Sequence, residues 1–501
     1  MSVDWALVWQ IGEVCLIVLL LVGVVIGTIP VLSTAFQFLV LPFAAFINHY
    51  RRAAPVWPRV AVIIPAWNEG LVIGASIDRM LSLEYPEDRL RIYVVDDAST
   101  DDTPDVVLRK AAEHPGRVFH LRRAQGGEGK AHTLNHGIER VLAEPWAEAI
   151  LIMDADVIFA RDSLRKMTRH FADPRVGAVT AFIAEGSRDR NSLTRFIGLE
   201  YVIAQLAARR AQSTMGAVAC LAGGAQLHSR ENLEAIGGRI PTGTLAEDTM
   251  ATFESQFHGR RMVFEPTAVV LAEEPRTIDA LWKQRLRWAR GNVQVTKHYS
   301  SLWFRPAKEH RLGGLAFGAI WFSVLLLPVM MVIASVSLIL LLLLQSDISD
   351  AVFRAMWILA ACVYVYSMAY ALLLDRRTAA SSWFQAILFP GVGSLIIIAV
   401  ALFPRLMDEW VLDPLGIGPG SPARIVWLVL LYSWGPLAMA GAWLARAIER
   451  TRAGAFLAPL LLYIVGYGSL LCAITVDSYV KEWRGADTTW VKTEKVGRVF
   501  G

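Results

Sequence analysis

The chain has 501 residues, 54% of them hydrophobic, and a formal net charge of only +4. That charge is too small to mark a nucleic-acid partner, and the hydrophobic share is high for a purely soluble protein. The four cysteines (Cys15, Cys220, Cys362, Cys472) show no metal-ligand spacing, and three sit in apolar runs, which argues against a disulfide framework.

Apolar residues crowd into 5–47 and 314–476, while the middle reads as an ordinary globular domain. One large soluble domain between two membrane-embedded ends is therefore expected. From Trp5 to Ile47 only Glu13 is charged. About 43 residues of helix would run roughly 64 Å, against a hydrocarbon core of ~30 Å. Either the segment is a hairpin turning near Gly27-Thr28-Ile29-Pro30, or one span continues along the interface. It lacks the basic start of a cleaved signal and is too long for one. Arg51 and Arg52 place its end in the cytoplasm.

Residues 59–64 form a β-branched apolar run ended by Pro65, as a buried parallel strand does. A helix follows from about Leu71. A second strand, Arg91 to Val95, ends in Asp96-Asp97-Ala98-Ser99, and Asp101, Asp102 and Pro104 start a helix. A third strand lies near 118–121, with a helix from Lys130 to about Leu142. The fourth strand is Leu151-Ile152-Met153, running into Asp154-Ala155-Asp156. Four alternations of strand and helix predict an α/β fold with a doubly wound parallel sheet. Asn68 and Glu69, Asp96 and Asp97, and Asp154 and Asp156 then share one carboxyl edge, where such sheets bind ligands.

Beyond residue 175 the pattern loosens. A strand is expected over 176–182, a helix over 193–212, and a small-residue loop at Leu221-Ala222-Gly223-Gly224-Ala225. Glu247 and Asp248 open a helix to about His258, and 261–264 reads as a short strand. Thr277 to about Val295 carries apolar and aromatic residues at helical spacing, as an interfacial amphipathic helix does. Trp282 is assigned to an interfacial aromatic belt.

Five apolar stretches follow, at about 314–344, 352–374, 383–403, 426–447 and 455–476. Arg376 and Arg377, then Arg446, Arg450 and Arg452, belong inside. Five full spans would put the basic tail (Lys481, Arg484, Lys492, Lys495, Arg498) outside, against the positive-inside rule. One stretch is thus re-entrant or interfacial: either the third, broken at Pro390-Gly391-Val392-Gly393, or the first, which is long enough to hold an interfacial helix before its span.

Six elements in order carry a resemblance. They are Ile64-Pro65-Ala66-Trp67-Asn68-Glu69, Val95-Asp96-Asp97-Ala98-Ser99, Gly129-Lys130-Ala131-His132-Thr133-Leu134-Asn135, Asp154-Ala155-Asp156, Ala246-Glu247-Asp248 and Gln284-Arg285-Leu286-Arg287-Trp288. Over about 58–300 the chain resembles the membrane-integrated processive glycosyltransferases of family 2, which make cellulose, hyaluronan, chitin oligomers and poly-N-acetylglucosamine. Residues 173–180 and 281–289 look most like the poly-N-acetylglucosamine synthases. Two positions depart from the pattern: Ala246 stands for the usual Thr or Ser, and Ala98 for the commoner Gly. The resemblance implies a GT-A type sheet inserted between N- and C-terminal transmembrane helices. It implies membrane segments in 1–50, a glycosyltransferase domain in 51–276, interfacial helices in 277–312, a transmembrane bundle in 313–480 and a basic tail in 481–501.

The same resemblance implies an inverting hexosyltransferase in the inner (plasma) membrane, multi-pass, with its catalytic domain cytoplasmic. Its partners would be a UDP-sugar donor, a growing polysaccharide, membrane lipid and a small membrane or periplasmic export partner. The donor set is Ala66, Glu69, Asp97, Lys130, Asp154, Asp156, Gln284 and Arg287. The acceptor set is Trp288, Gly223 and Gly224. A departing diphosphate needs a metal or cationic clamp, so Asp154 and Asp156 are the candidate ligands of Mg²⁺ or Mn²⁺. Lys130, opening a helix after a glycine-rich loop, suits a phosphate. Asp248 is the candidate general base, with Glu247 beside it. One base and no carboxylate nucleophile implies a single inverting displacement. A transferase that decorates a lipid is the nearest rival. A transporter with a nucleotide-binding regulatory domain is remote, because the chain lacks a Gly-x-x-x-x-Gly-Lys-Ser/Thr loop.

Overall fold

A computed structural model describes residues 5–46, 53–344 and 346–487, so Arg51, Arg52, Lys492, Lys495 and Arg498 lie outside the described residues. The chain forms two compact units. One comprises the described residues of Gln37–Gly318, Leu374–Thr378 and Lys481–Gly501; the other comprises those of Met1–Phe36, Ala319–Leu373 and Ala379–Val480.

In the first unit β1 (Val60–Ala66), α2 (Gly70–Leu81), β2 (Leu90–Asp96), α3 (Thr103–Glu113), β3 (Val118–Arg122), α4 (Lys130–Leu142) and β4 (Ala149–Met153) alternate; α1 is the N-terminal helix Trp5–Phe46. Next come β5 (Val157–Phe159), α5 (Ser163–Thr168), β6 (Val176–Glu185) and α6 (Ser192–Glu200). A π-helical turn, Tyr201–Ala207, leads into α7 (Ala208–Met215). Then follow β7 (Ala225–Ser229), α8 (Arg230–Ala235), α9 (Glu247–Phe257), β8 (Arg261–Ala272) and α10 (Ile278–His298). Alternation of period two buries both faces of the early strands. Val62, Ile64, Val94 and Leu151 pack with Ile73 and Ile77 of α2; Ile63, Val95, Ile150 and Ile152 pack with Leu134, Ile138 and Val141 of α4.

The eight strands form one sheet in the order β3-β2-β1-β4-β7-β6-β8-β5. The first four pair in parallel, as expected. The second half is mixed: β7 is antiparallel to β4 and β6, β8 is parallel to β6, and β5 is antiparallel to β8. β1 runs through Pro65 to Ala66 rather than stopping before it. β4 pairs with β1 only as far as Ile63, so one side of the strand asks no donor of the proline.

The strand expected at 261–264 continues to Ala272, with a register shift opposite Ala181/Phe182 that takes up Pro266 and its neighbours. Trp282 is fully buried, not in an exposed belt. It lies beside Leu281 on the packed face of α10, where its large apolar area is removed from water.

Of the two arrangements open for the N-terminal segment, the hairpin does not form. α1 continues through Gly27-Thr28-Ile29-Pro30 as a single 42-residue helix, with Thr28 and Thr34 hydroxyls returning hydrogen bonds to the carbonyls of Val25 and Pro30. Among the described residues three helices are long and apolar enough to cross a membrane: Trp5–Ala44, Leu327–Leu344 and Asp347–Leu374. Two bent pairs, Pro422–Tyr432 with Trp434–Glu449 and Gly454–Val465 with Tyr467–Trp483, raise the number to five if each is one span.

The first apolar stretch divides into Leu315–Leu325 and Leu327–Leu344, and the third into Trp383–Leu388 and Val392–Leu402. The break in the third stretch is built on glycine. Gly391 (φ +84) lies against Gly466 (φ +88), where a Cβ would stand 2.5 Å from the Gly466 nitrogen. Tyr467 N–H donates to the Phe389 carbonyl across this contact at 3.0 Å, satisfying backbone freed by the break.

Candidate active site

Strand pairing gathers the site. The parallel strands β1, β2 and β4 end at one edge in Ala66, Asp96 and Met153. Met153 pairs with Ala225, so the antiparallel β7 begins at that edge and brings Gly223 and Gly224 beside Asp154. A Cβ on Gly224 would lie 3.2 Å from Asp154 Oδ2; one on Gly223 would lie 3.2 Å from Asp248 Oδ2 and 3.4 Å from Lys130 Nζ. Glycine at both positions lets the backbone approach three charged side chains. Thr180 Oγ1 pins the loop, donating to Ala225 O and accepting from Ala222 N–H, each at 3.0 Å.

Lys130, first residue of α4, donates to Asp154 Oδ1 and, at 3.3 Å, to the Gly223 carbonyl. Burial disfavours its charge, but Asp154, Glu247 and Asp248 outweigh this and hold its pKa above the ordinary lysine value. Burial raises the pKa of Glu247, as does the neighbouring Asp248, while Lys130 and Arg287 pull it down. Lys130, Asp154, Gly223, Gly224, Glu247, Asp248 and Arg287 thus form one constellation. Asp248 lies in the first turn of α9, with Oδ1 accepting from Thr249 N–H at 2.7 Å.

Ala246, just before α9, lies against α10. A Cβ on Gly291 of α10 would stand 2.6 Å from the Ala246 Cβ, so glycine at 291 lets α10 pack closely on Ala246. Cys220, which sequence reasoning passed over, lies beside Asp248; burial and that carboxylate push its thiol pKa up.

Asp156 is 8% exposed and Asp154 more open. Among the described residues no three His, Cys, Asp or Glu side chains converge in a metal-binding group. A pair of carboxylates with open positions fits Mg²⁺ or Mn²⁺, which take further oxygens from phosphate and water.

Asp97 lies at the neighbouring strand end. It accepts from Arg123 and from Gly127 N–H at 3.0 Å, and Arg123 also binds Glu128. The loop is held close, because a Cβ on Gly126 would lie 2.1 Å from the Asp97 carbonyl oxygen. The Ala66 carbonyl accepts from Asp97 N–H at 2.8 Å, and Glu69 N–H donates to Thr103 Oγ1 at 2.8 Å. Asp96 is fully buried; it accepts from Ser99 N–H and pairs with Arg122 at 3.1 Å, holding the turn. Ala98 sits at φ +57, which accounts for glycine as the commoner residue there.

Gln284 and Trp288 join a second cluster that sequence reasoning missed. Gln284 lies near enough to Glu274 to pull its pKa down, and the Gln284 Oε1 is buried with no hydrogen-bond partner. Glu274 accepts from Tyr201 Oη at 2.7 Å. Burial pushes the Glu274 pKa up to about 7, against the pull of Arg285, Tyr201 and Gln284. The Arg285 guanidinium lies 4.1 Å from the Trp288 ring centre and pairs with Glu200 at 3.0 Å. Its place next to Gln284 was the available signal, but a charged residue on an amphipathic helix reads as solvent-facing.

Residues 58–291 match the family model described as Glycosyltransferase like family 2, so the chain carries a family 2 glycosyltransferase domain. It is 32% identical to the beta-monoglucosyldiacylglycerol synthase of Synechocystis sp., over 48% of this chain and 48% of that one. It is 29% identical to the poly-beta-1,6-N-acetyl-D-glucosamine synthase of Staphylococcus epidermidis, over 47% of this chain and 55% of that one. The match therefore spans about half the length of these relatives. Among solved structures, a mannosyltransferase of Pyrobaculum calidifontis in complex with GDP-Man and Mn²⁺ is 24% identical with a TM-score of 0.48, covering 77% of this chain and 99% of that one.

Proposed function

We propose that the chain is an inverting, processive glycosyltransferase that uses a UDP-sugar, best UDP-N-acetylglucosamine, to extend a β-linked polysaccharide and pass it across the plasma membrane. The observation that carries this reading is the meeting of Lys130, Asp154, Gly223 and Asp248 at one sheet edge. Asp97 and Glu69 take the nucleoside end of the donor. Lys130, at a helix N-terminus, and Arg287 take the diphosphate. Asp154 and Asp156 would hold the divalent cation, which supplies charge neutralisation for the leaving group.

Gly223 and Gly224 leave room for the acceptor. Asp248 accepts the acceptor hydroxyl's proton as that oxygen attacks the anomeric carbon. No second carboxylate is assigned as nucleophile, so displacement is single and an α-linked donor yields a β-linkage. Trp288 offers a flat indole to the acceptor sugar. The apolar helices, with Arg376, Arg377, Arg446, Arg450 and Arg452 on the inner side, support a multi-pass protein with a cytoplasmic catalytic domain. A small export partner for the polymer fits the same reading.

The glucosyldiacylglycerol synthase among the relatives favours a second reading, transfer of a single sugar to a lipid. Both are tested on the purified full chain with a panel of radiolabelled UDP-sugars and Mg²⁺ or Mn²⁺, the product resolved on a denaturing gel. A long polymer is expected from one sugar. A single lipid-soluble product would overturn processivity, and no transfer from any sugar would overturn the whole reading.

A further inference from the structure

The sequence Gln284-Arg285-Leu286-Arg287-Trp288 holds two arginines, and the fold gives them different surroundings. Arg287 is half-buried, and its charge lowers the pKa of Glu247 in the site. Arg285 is 8% exposed and turned to the other side of the helix. Its guanidinium lies over the Trp288 ring at 4.1 Å and 5.4 Å from the Tyr201 ring centre. One nitrogen, Nη2, pairs with Glu200 Oε2 at 3.0 Å. Glu200 and Tyr201 adjoin where α6 passes into the π-helical turn, so two consecutive side chains reach one arginine. Single π-helical turns inside α-helices frequently mark functional sites. Tyr201 is fixed in turn by its hydrogen bond to Glu274. The contacts of Glu200 and Tyr201 thus converge on Arg285 of α10, the helix that carries Trp288.

We propose that Arg285 is a positioning residue for transfer: its guanidinium clamps one face of Trp288 and sets the angle of the indole whose other face receives the acceptor sugar. This rests on the acceptor role proposed above for Trp288. A freely rotating indole would offer its face to the acceptor only part of the time. An arginine held by Glu200 stacks as a plane and removes that freedom; a lysine, a point charge on a flexible stem, does not. In this proposal Arg285 acts through Trp288, with its guanidinium held by Glu200.

The test uses the full-length enzyme carrying 5-fluorotryptophan, with the Trp288 fluorine line assigned by its loss in Trp288→Phe. Arg285→Lys is expected to shift or broaden that line and to leave the other tryptophan lines in place. It should raise the apparent KM for the oligosaccharide acceptor about fivefold, the scale of one lost cation–π contact, and leave UDP-sugar hydrolysis within about twofold. In a Trp288→Ala background Arg285→Lys should add nothing. Glu200→Gln, a milder change should Arg285→Lys fold poorly, is expected to move the same line and the same KM by less. An unmoved Trp288 line, or equal losses of hydrolysis and transfer, would overturn the positioning role. If instead Trp288→Ala leaves transfer intact, the acceptor reading of Trp288 fails first, and that result is distinct from the other two.

Discussion

The two halves of the sheet meet at one edge but bring different chemistry to it. β1, β2 and β4 run in parallel, and each ends in polar residues that follow directly in sequence: Asn68 and Glu69, Asp96 and Asp97, Asp154 and Asp156. The mixed half arrives by a different route. β7 enters antiparallel and delivers Gly223 and Gly224 from its start, while β6 and β8 end side by side at Glu185 and Ala272, just before Glu274. In our account the parallel half holds the donor, and the loops and helices around the mixed half handle the acceptor. Separate elements can then lose one task while keeping the other.

The largest effect should break the donor half. Asp156→Asn would remove the anionic metal ligand proposed there while keeping its shape, so transfer should be abolished and UDP binding in Mg²⁺ or Mn²⁺ weakened. Transfer at the wild-type rate, or transfer that survives EDTA, would remove the metal from the account.

A middle-sized effect lies beside the mixed half. Burial raises the folded pKa of Glu274 to about 7, so the folded state holds a proton that the unfolded chain releases near the ordinary glutamate value of 4.5. Its contribution is present at low pH, is lost as pH rises through about 5 to 7, and is flat above that. The full span is at most about 3 kcal/mol. Glu274→Gln keeps an oxygen for Tyr201 and never ionises. It should flatten the fall in melting temperature between pH 5 and 7 and raise it at pH 8. An unchanged slope would mean that Glu274 does not titrate there.

The smallest effect sharpens the loop after β2. Ala98 pays for a left-handed backbone that glycine adopts freely. Ala98→Gly should raise stability by about 1 kcal/mol and leave UDP affinity unchanged. A lower melting temperature would show that backbone freedom outweighs the strain.

These contrasts also explain what could be read in advance. The parallel half was legible because its strands are apolar runs bounded by turns, and its acids follow the runs directly. Local pattern therefore stated both fold and site. β5 has only three residues, and β7 carries Gln226 and His228, so neither shows a strand pattern. Pro266 hid the length of β8. Lys130 and Asp154 were legible as separate motifs but not as partners, since their contact depends on strand order. Arg285, Tyr201 and Glu274 come from three distant segments, and no spacing connects them. The buried side of α10 is misread at Trp282 for the same reason: an indole suits an interface or a core equally until its neighbours are known.

The division of labour is tested most directly at Asp248, which touches the glycine loop but carries no donor role. UDP affinity by calorimetry and turnover of the UDP-sugar into polymer are measured on the same preparation of Asp248→Asn. UDP affinity is expected near wild type, with turnover lower by on the order of a hundredfold or more, the range for loss of a general base. If affinity and turnover fall together by the same factor, Asp248 belongs to the donor site and the division between the two halves is wrong.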